Sequence, residues 1–270
     1  MQPAVGGWVS FPFFSFVREG KTMALTHRQH FLKALFYHKI FKLPELDLEQ
    51  LAPPLPSGFA PILTDLNLPS PPKFRHDDFR ALMQIVYGAN PAIVLELGTA
   101  HGNTPANICA GTSATVYTVN ALPEQISGDS VTFTNALTKE EIGRVYREAG
   151  FGSRVVQIFE NTLTIDYERS IKGKIVDVAI IDACHDYDYV LHDFFAIQPV
   201  LRDGAIVLLH DTCPSMKMHL ASSYWACMHL RRKGYHICHI RDTWWGYWKK
   251  PDGPATSDFF SLQKLRSGAK

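Results

Sequence analysis

Residues 94–106 read Val94-Leu-Glu-Leu-Gly-Thr-Ala-His-Gly-Asn-Thr-Pro-Ala106. Together with Ala92 and Ile93 they begin as an apolar run too short for a helix and suited to a buried strand. An acidic residue, Glu96, follows. Then come Gly98, Ala100 and Gly102 at alternate positions, with Thr104 as a capping side chain and Pro105 suited to the first helical position. A strand that turns through glycines into a helix presents backbone N–H groups and a positive helix end to a ligand. Many α/β domains carry such a turn with no ligand at all, so the surrounding chain decides its meaning.

Outward from this stretch, apolar strands alternate with amphipathic helices. Strands are predicted at Ala92–Leu97, Thr115–Val119, Val155–Phe159, Val176–Ile181 and Ala205–Leu209. Helices are predicted from Pro105, at Lys139–Glu148, at Tyr187–Leu201 and at Met216–Arg232, the last ending near Gly234. Strands at Tyr235–Ile240 and Thr243–Trp248 make a terminal hairpin, on which Trp244 and Trp248 would share one face and Trp245 take the other. Continuous apolar strands separated by helices mean a parallel sheet covered on both faces. The expected fold is therefore α/β: a doubly wound, mostly parallel, seven-stranded Rossmann-like sheet with an antiparallel C-terminal hairpin.

Upstream, Thr26–Lys42 has helical apolar spacing and Leu51–Pro72 is a proline-rich irregular linker. Asp77–Tyr87 returns to helix, with Phe79, Leu82, Met83 and Val86 on one side. Residues 1–75 are read as an aromatic arm, helix and linker that cap a site or build a homodimer, and 76–270 as the ligand-binding domain. The apolar stretch 7–17 is short, is interrupted by Pro12 and lacks a basic flank, which argues against a signal peptide or membrane span. Met23 is an alternative start.

The chain has 270 residues, a net charge of +1 and 20% charged residues, so electrostatics make no case for a nucleic-acid partner. Five cysteines, an odd number with no C-x-x-C pair, fit free thiols in a reducing, cytoplasmic setting. His236, Cys238 and His239 cannot converge on one ion from a strand, where alternate residues face opposite ways.

In a doubly wound sheet, ligands bind at the carboxyl ends of the strands, near the switch point. Two strand ends there carry chemistry: Ile181-Asp182-Ala183-Cys184-His185 and Leu209-His210-Asp211. If those strands are neighbours, Asp182, His210 and Asp211 converge and could hold a divalent ion with open positions for substrate oxygens. His185 could serve as a general base, with His101 as a rival. Plainer readings stand beside these: Asp182 capping the next helix, His210 pointing sideways as a hydrogen-bonded structural residue, and His185 as a surface residue.

The segment Glu96-Leu-Gly-Thr-Ala-His-Gly-Asn-Thr104 resembles the first motif of Rossmann-like, class I S-adenosylmethionine-dependent methyltransferases. The segments Val178 to Val190, with I-D-x-x-H-x-Y-x-x-V, and Leu201 to Asp211, ending in His-Asp, resemble one branch of that family. That branch includes natural-product O-methyltransferases and a cephalosporin hydroxylase-like group. The resemblance spans roughly residues 76–249. It implies that Glu96, Gly98, Ala100, Gly102, Asn103 and Thr104 line the cofactor, with Asn120, Asn161, Thr162 and Asp182 completing its site. It further implies that Asp182, His210 and Asp211 bind a divalent metal, magnesium or manganese, and that His185 is the catalytic base. The expected reaction is metal-assisted methylation of a hydroxyl on a small natural-product, phenolic or sugar-type molecule. Two departures accompany the resemblance: Asn120 and Asn161 stand where the family usually has acids, and Glu124 is a candidate substitute for the first. Other metal-dependent chemistry on the same fold, hydroxylase- or cyclase-like, and a non-catalytic binding role are the alternatives.

Overall fold

The structure, a computed structural model, describes residues 17–18, 21–22, 42–62, 72–126, 137–213 and 222–252, with side chains of the first helix described from residue 77. The chain divides into two compact units, 1–41 and 42–270. In the first, β1 (Val17–Arg18) and β2 (Lys21–Thr22) pair antiparallel. The predicted helix at Thr26–Lys42 and most of the aromatic arm lie outside the described residues.

In the second unit, the apolar runs form the strands expected of them. These are β4 (Ile93–Leu97), β5 (Thr115–Val119), β6 (Val155–Ile158), β7 (Val176–Ile181) and β8 (Leu201–Leu209). They pair parallel in the order β8-β7-β4-β5-β6. The terminal hairpin is shorter than predicted: β9 (Cys238–Ile240) and β10 (Gly246–Lys249), with β10 antiparallel to both β8 and β9. Because β10 starts only at Gly246, strand alternation does not reach Trp244 and Trp245, and the predicted division of the three tryptophans fails. Trp245 and Trp248 are both buried.

An eighth strand was not foreseen. The two-residue β3 (Glu45–Leu46) adds to β9 in parallel, giving the order β3-β9-β10-β8-β7-β4-β5-β6. Arg241 reinforces this edge, reaching Glu45 at 3.3 Å and Asp47 at 2.5 Å. Two residues carry no periodicity, so nothing in the sequence marked them.

The helices are α1 (Pro72–Ala89), α2 (Asn103–Gly111), α3 (Arg144–Glu148), α4 (Tyr167–Ser170), α5 (Tyr187–Ala196) and α6 (Ser223–Arg232). Three differ from expectation for backbone reasons. The predicted Lys139–Glu148 helix begins only after Gly143, whose φ of +73° is left-handed. The predicted Tyr187–Leu201 helix stops at Ala196, gives one 3-10 turn around Pro199 and enters β8. The N-cap of α2 is Gly102, not Thr104, so the helix starts at Asn103 and already contains Pro105. Gly234, at φ +94°, follows the C-cap of α6 as predicted. The first part of the predicted Met216–Arg232 helix, residues 216–221, lies outside the described residues.

The core lies between α1, α2 and the sheet, where Leu82, Met83, Val86, Ile108, Val94, Val116, Val178 and Leu208 pack together, all fully buried. Each such side chain is worth about 1.5–3 kcal/mol relative to exposure. No described helix is long and apolar enough to cross a membrane. All five cysteines are free thiols.

Candidate active site

Register sets the site. Leu97 pairs with both Val119 and Ile181, and Ile181 with Leu209, so four strands end level with one another. The next backbone bonds continue the alignment: Gly98 N donates to Val119 O (2.8 Å), Asp182 N to Leu97 O (2.8 Å) and His210 N to Ile181 O (3.0 Å). Between β4 and β7 the chain order reverses, since β5 and β6 lie on one side and β8 on the other. The glycine turn and Asp182 therefore occupy the crevice where such sheets take ligands.

The turn is held by the protein itself. Gly98 has φ +100°, and a β-carbon there would sit 2.1 Å from the Asp182 carbonyl oxygen. Gly102 has φ +86°, and a β-carbon would meet Tyr146 at 2.7 Å and Gly143 at 2.8 Å. The two glycines are thus demanded by close approach to β7 and α3. Ala100 also adopts a positive φ, of 44°. Its N–H donates to Asn120 Oδ1 at 3.0 Å, while Asn120 Nδ2 donates to Ala121 O at 2.8 Å. Asn120 accordingly serves as a brace for the turn. Asn161 is engaged in the same fashion, with Nδ2 to Gln125 O (2.9 Å) and Oδ1 accepting from Leu163 N (3.0 Å). Thr162 is buried, and Glu124 lies exposed on a short 3-10 turn.

Glu96 lies opposite Thr118 on β5, whose hydroxyl donates to Oε2 at 2.5 Å. Thr118 shares a hydrogen bond with Thr99 at 2.7 Å, and Gln157 Nε2 donates to Thr99 Oγ1 at 2.9 Å. Burial raises the Glu96 carboxyl to about 8, partly offset by the Thr118 bond and reinforced by the charge of Asp182. Among the described residues, Glu96 Oε1, His101 Nδ1 and Asn103 Oδ1 are buried with no hydrogen-bond partner. An orphaned polar atom costs ~1–3 kcal/mol, so three around one turn mark a place where a polar ligand would repay the deficit.

At the ends of β7 and β8 the predicted residues do converge. His210 Nδ1 lies 3.0 Å from Asp182 Oδ1 and 3.4 Å from Asp211 Oδ1. His185 Nδ1 lies 3.0 Å from Asp211 Oδ2, and its Nε2 faces Asp182 Oδ1 at 3.8 Å. Asp182, His185 and His210 each offer a ligand atom within 4.8 Å of the others. The N-cap of the following helix is Asp186, which frees Asp182 from a capping role. Asp211 reaches inward because its backbone is left-handed, with φ 58°. Its Oδ1 is buried and makes no hydrogen bond among the described residues.

Electrostatics bind the cluster together. Burial works against a charge on His210, yet the carboxylates of Asp182 and Asp211, with hydrogen bonds to Asp182 and Asp78, hold it well above the ordinary histidine value. Burial would raise Asp182, but His210 and His185 keep it below the ordinary carboxylate value. This mutual stabilisation is what a cation, once bound, would replace.

One participant carried no sequence signal. Asp78, on α1, places Oδ2 3.0 Å from His210 Nε2 and accepts the Trp244 N–H on Oδ1 at 2.9 Å. His210 therefore combines the two readings open at the outset: one nitrogen is fixed sideways and the other faces the cluster.

Residues 95–212 match the family model described as a methyltransferase domain. No curated protein matches the sequence. Among solved structures, the chain is similar to cofactor-bound Rv0187 from MTB (17% identity, 83% of this chain and 90% of that one, TM-score 0.49). It is also similar to an O-methyltransferase from Bacillus cereus in complex with SAH (14% identity, 82% and 89%, TM-score 0.44). An O-methyltransferase family protein from Burkholderia thailandensis is similar at 15% identity, over 67% of this chain and 63% of that one, with a TM-score of 0.42. Residues 95–212, which contain the glycine turn and both chemistry-bearing strand ends described above, are thus the part of the chain that is similar to a methyltransferase domain, carried on a doubly wound, mostly parallel α/β sheet.

Proposed function

We propose that the protein is an S-adenosylmethionine-dependent O-methyltransferase that acts on a hydroxyl of a small molecule with the help of a divalent cation. The observation that carries this reading is the juxtaposition, on level strand ends, of the glycine turn with the cluster of Asp182, His185, His210 and Asp211.

The residues fit both groups. For the cofactor, Glu96 Oε1 and Asn103 Oδ1 are buried polar oxygens without a hydrogen-bond partner among the described residues. An amino acid's ammonium group would satisfy Asn103 directly, and Glu96 by drawing off the proton that burial holds on it. For the cation, Asp211 Oδ1 is a buried, unsatisfied carboxylate oxygen beside Asp182 Oδ1 and His210 Nδ1. A divalent cation held by Asp182, His210 and Asp211 would lower the pKa of an acceptor hydroxyl. His185 would take the released proton on Nε2. Asp211 Oδ2, at 3.0 Å from Nδ1, fixes the ring for that task and stabilises the imidazolium that forms. The half-buried Trp244, with its ring centroid 5.6 Å from that of His210, offers a flat wall beside the cluster.

The alternative of metal-dependent oxidation has one observation in its favour. Asp182, His185 and His210 form a two-histidine, one-carboxylate set, the arrangement of non-haem iron oxygenases. In that case His185 is a ligand and no base remains at its position.

Native mass spectrometry and elemental analysis of the purified protein, with assays for S-adenosylhomocysteine formation on phenols and sugars, separate the readings. Magnesium or manganese with S-adenosylhomocysteine formation is the expected result. Bound iron with no methyl transfer favours the oxidative reading. Asp182→Ala and Asp211→Ala are each expected to lower metal content and turnover at least about 100-fold. Unchanged metal content in both variants defeats the metal mechanism, and no thermal shift with S-adenosylhomocysteine defeats the cofactor assignment.

A further inference from the structure

Asp78 stands 132 residues before His210 in sequence, yet it makes the only contact shown for Nε2 of that histidine among the described residues. Four further interactions hold the pair in place. Asp78 Oδ1 accepts the Trp244 backbone N–H at 2.9 Å, and its own carbonyl accepts the Trp245 indole N–H at 3.1 Å. The His210 ring lies against Trp245, with centroids 4.5 Å apart, and near Trp244 at 5.6 Å. Both Asp78 carboxylate oxygens and its carbonyl are thereby occupied, and the imidazole has little freedom to rotate.

A neutral imidazole carries one N–H and one lone pair, and the group that meets one nitrogen decides the state of the other. A carboxylate accepts and never donates when ionised. Both ring nitrogens face carboxylates, so without a cation each carries a proton. A cation entering between Asp182 and Asp211 displaces the proton on Nδ1, while Asp78 keeps the one on Nε2 and so leaves the lone pair on Nδ1. We propose that Asp78 is the positioning residue of the metal centre, selecting the His210 tautomer in which Nδ1 is a ligand. This rests on the metal reading of the site above. It also gives α1 a part in the chemistry, because that helix lies before the stretch recognised as a methyltransferase domain.

The substitution Asp78→Asn tests it with little change in shape. The amide oxygen can keep the Trp244 N–H bond. The amide nitrogen then faces Nε2 as a donor, which demands the lone pair there and moves the ring proton to Nδ1. The full-length protein, stripped of metal, is titrated with manganese alone by electron paramagnetic resonance. The variant is expected to bind roughly 10–100-fold more weakly than the wild type. Its thermal shift with S-adenosylhomocysteine should be unchanged, a readout that general loosening of the fold would move.

A second measurement needs no variant. Long-range 1H–15N correlation spectra of the zinc-loaded wild type are expected to show His210 protonated at Nε2. Equal manganese affinity in the variant, or a zinc-loaded wild type protonated at Nδ1, overturns the proposal and leaves the metal site standing. Failure of the wild type to take up manganese or zinc overturns both, and so distinguishes the two failures.

Discussion

At Glu96, a single carboxyl couples the glycine turn to pH. In the folded protein it holds its proton until about pH 8, because burial disfavours the charge, whereas its ordinary value is 4.5. The folded state therefore binds more protons than the unfolded state between those limits, and this residue's contribution to stability falls as pH rises through them, by at most ~1.4 kcal/mol per unit. Glu96→Gln removes the titration while keeping an oxygen for Thr118. Urea denaturation from pH 5 to pH 8 should show the variant gaining on the wild type with each step. Parallel curves would mean that Glu96 is already ionised in the folded protein. Such a role was half-legible: an acid on an apolar strand announces a special environment, but only the pairing with Thr118 reveals how it is tolerated. Asn120 is a sharper case. In sequence it reads as a weakened ribose contact, and in the structure its amide oxygen braces the Ala100 N–H. Asp78 carried no signal, since an acid among the polar residues of a helix reads as a solvated face.

Elements whose identity depends on their own residues were readable, and those that depend on distant partners were not. Strands β5 and β7 match their predicted bounds because runs of apolar or β-branched residues, broken only by Asp177 near the start of β7, admit little else. The helix before β4 runs longer than its apolar stripe, from Pro72 to Ala89. By contrast α2, a nine-residue helix, lacks a side-chain cap at its start and depends on a remote arginine at its end. Arg154, leading into β6, donates to the carbonyls of Cys109, Thr112 and Ala114 at 2.7–2.8 Å. Those carbonyls at and beyond the helix end have no continuing helix to serve them. Arg154→Met, which keeps the aliphatic stem, should cost about 2–4 kcal/mol in chemical denaturation, since charged hydrogen bonds to part-buried carbonyls are lost together. A loss below ~1 kcal/mol would show that water replaces the guanidinium without penalty.

Across the whole molecule, the site is a consequence of topology: reversing the strand order between β4 and β7 brings the turn and the carboxylate–imidazole cluster together. The alternation of strands and helices made that much legible, and with it the convergence of Asp182, His210 and Asp211. The role of residues 42–62 was hidden, because the proline-rich stretch from Leu51 reads as a linker and the few residues before it predict no element of their own. They form a strap over the fold, with β3 on the sheet edge and Leu43 and Ala52 buried. Further on, Gln84 Nε2 donates to Ala52 O (3.0 Å) and Arg80 Nη1 to Phe59 O (2.9 Å). Ile62 and Asn107 exchange two bonds, at 2.7 and 3.0 Å. Arg80 and Gln84 lie on α1, the helix that also carries Asp78, so the strap bears on the helix that reaches His210. Four tertiary hydrogen bonds and one buried leucine sum to about 5 kcal/mol. Comparing chains that begin at residue 42 and at residue 63 isolates this contribution. The shorter chain should melt about 10–20 °C lower than the longer one. It should also bind manganese more weakly, because α1 loses the contacts that hold Asp78 against His210. Equal melting temperatures would mean that the sheet and α1 are complete without the strap.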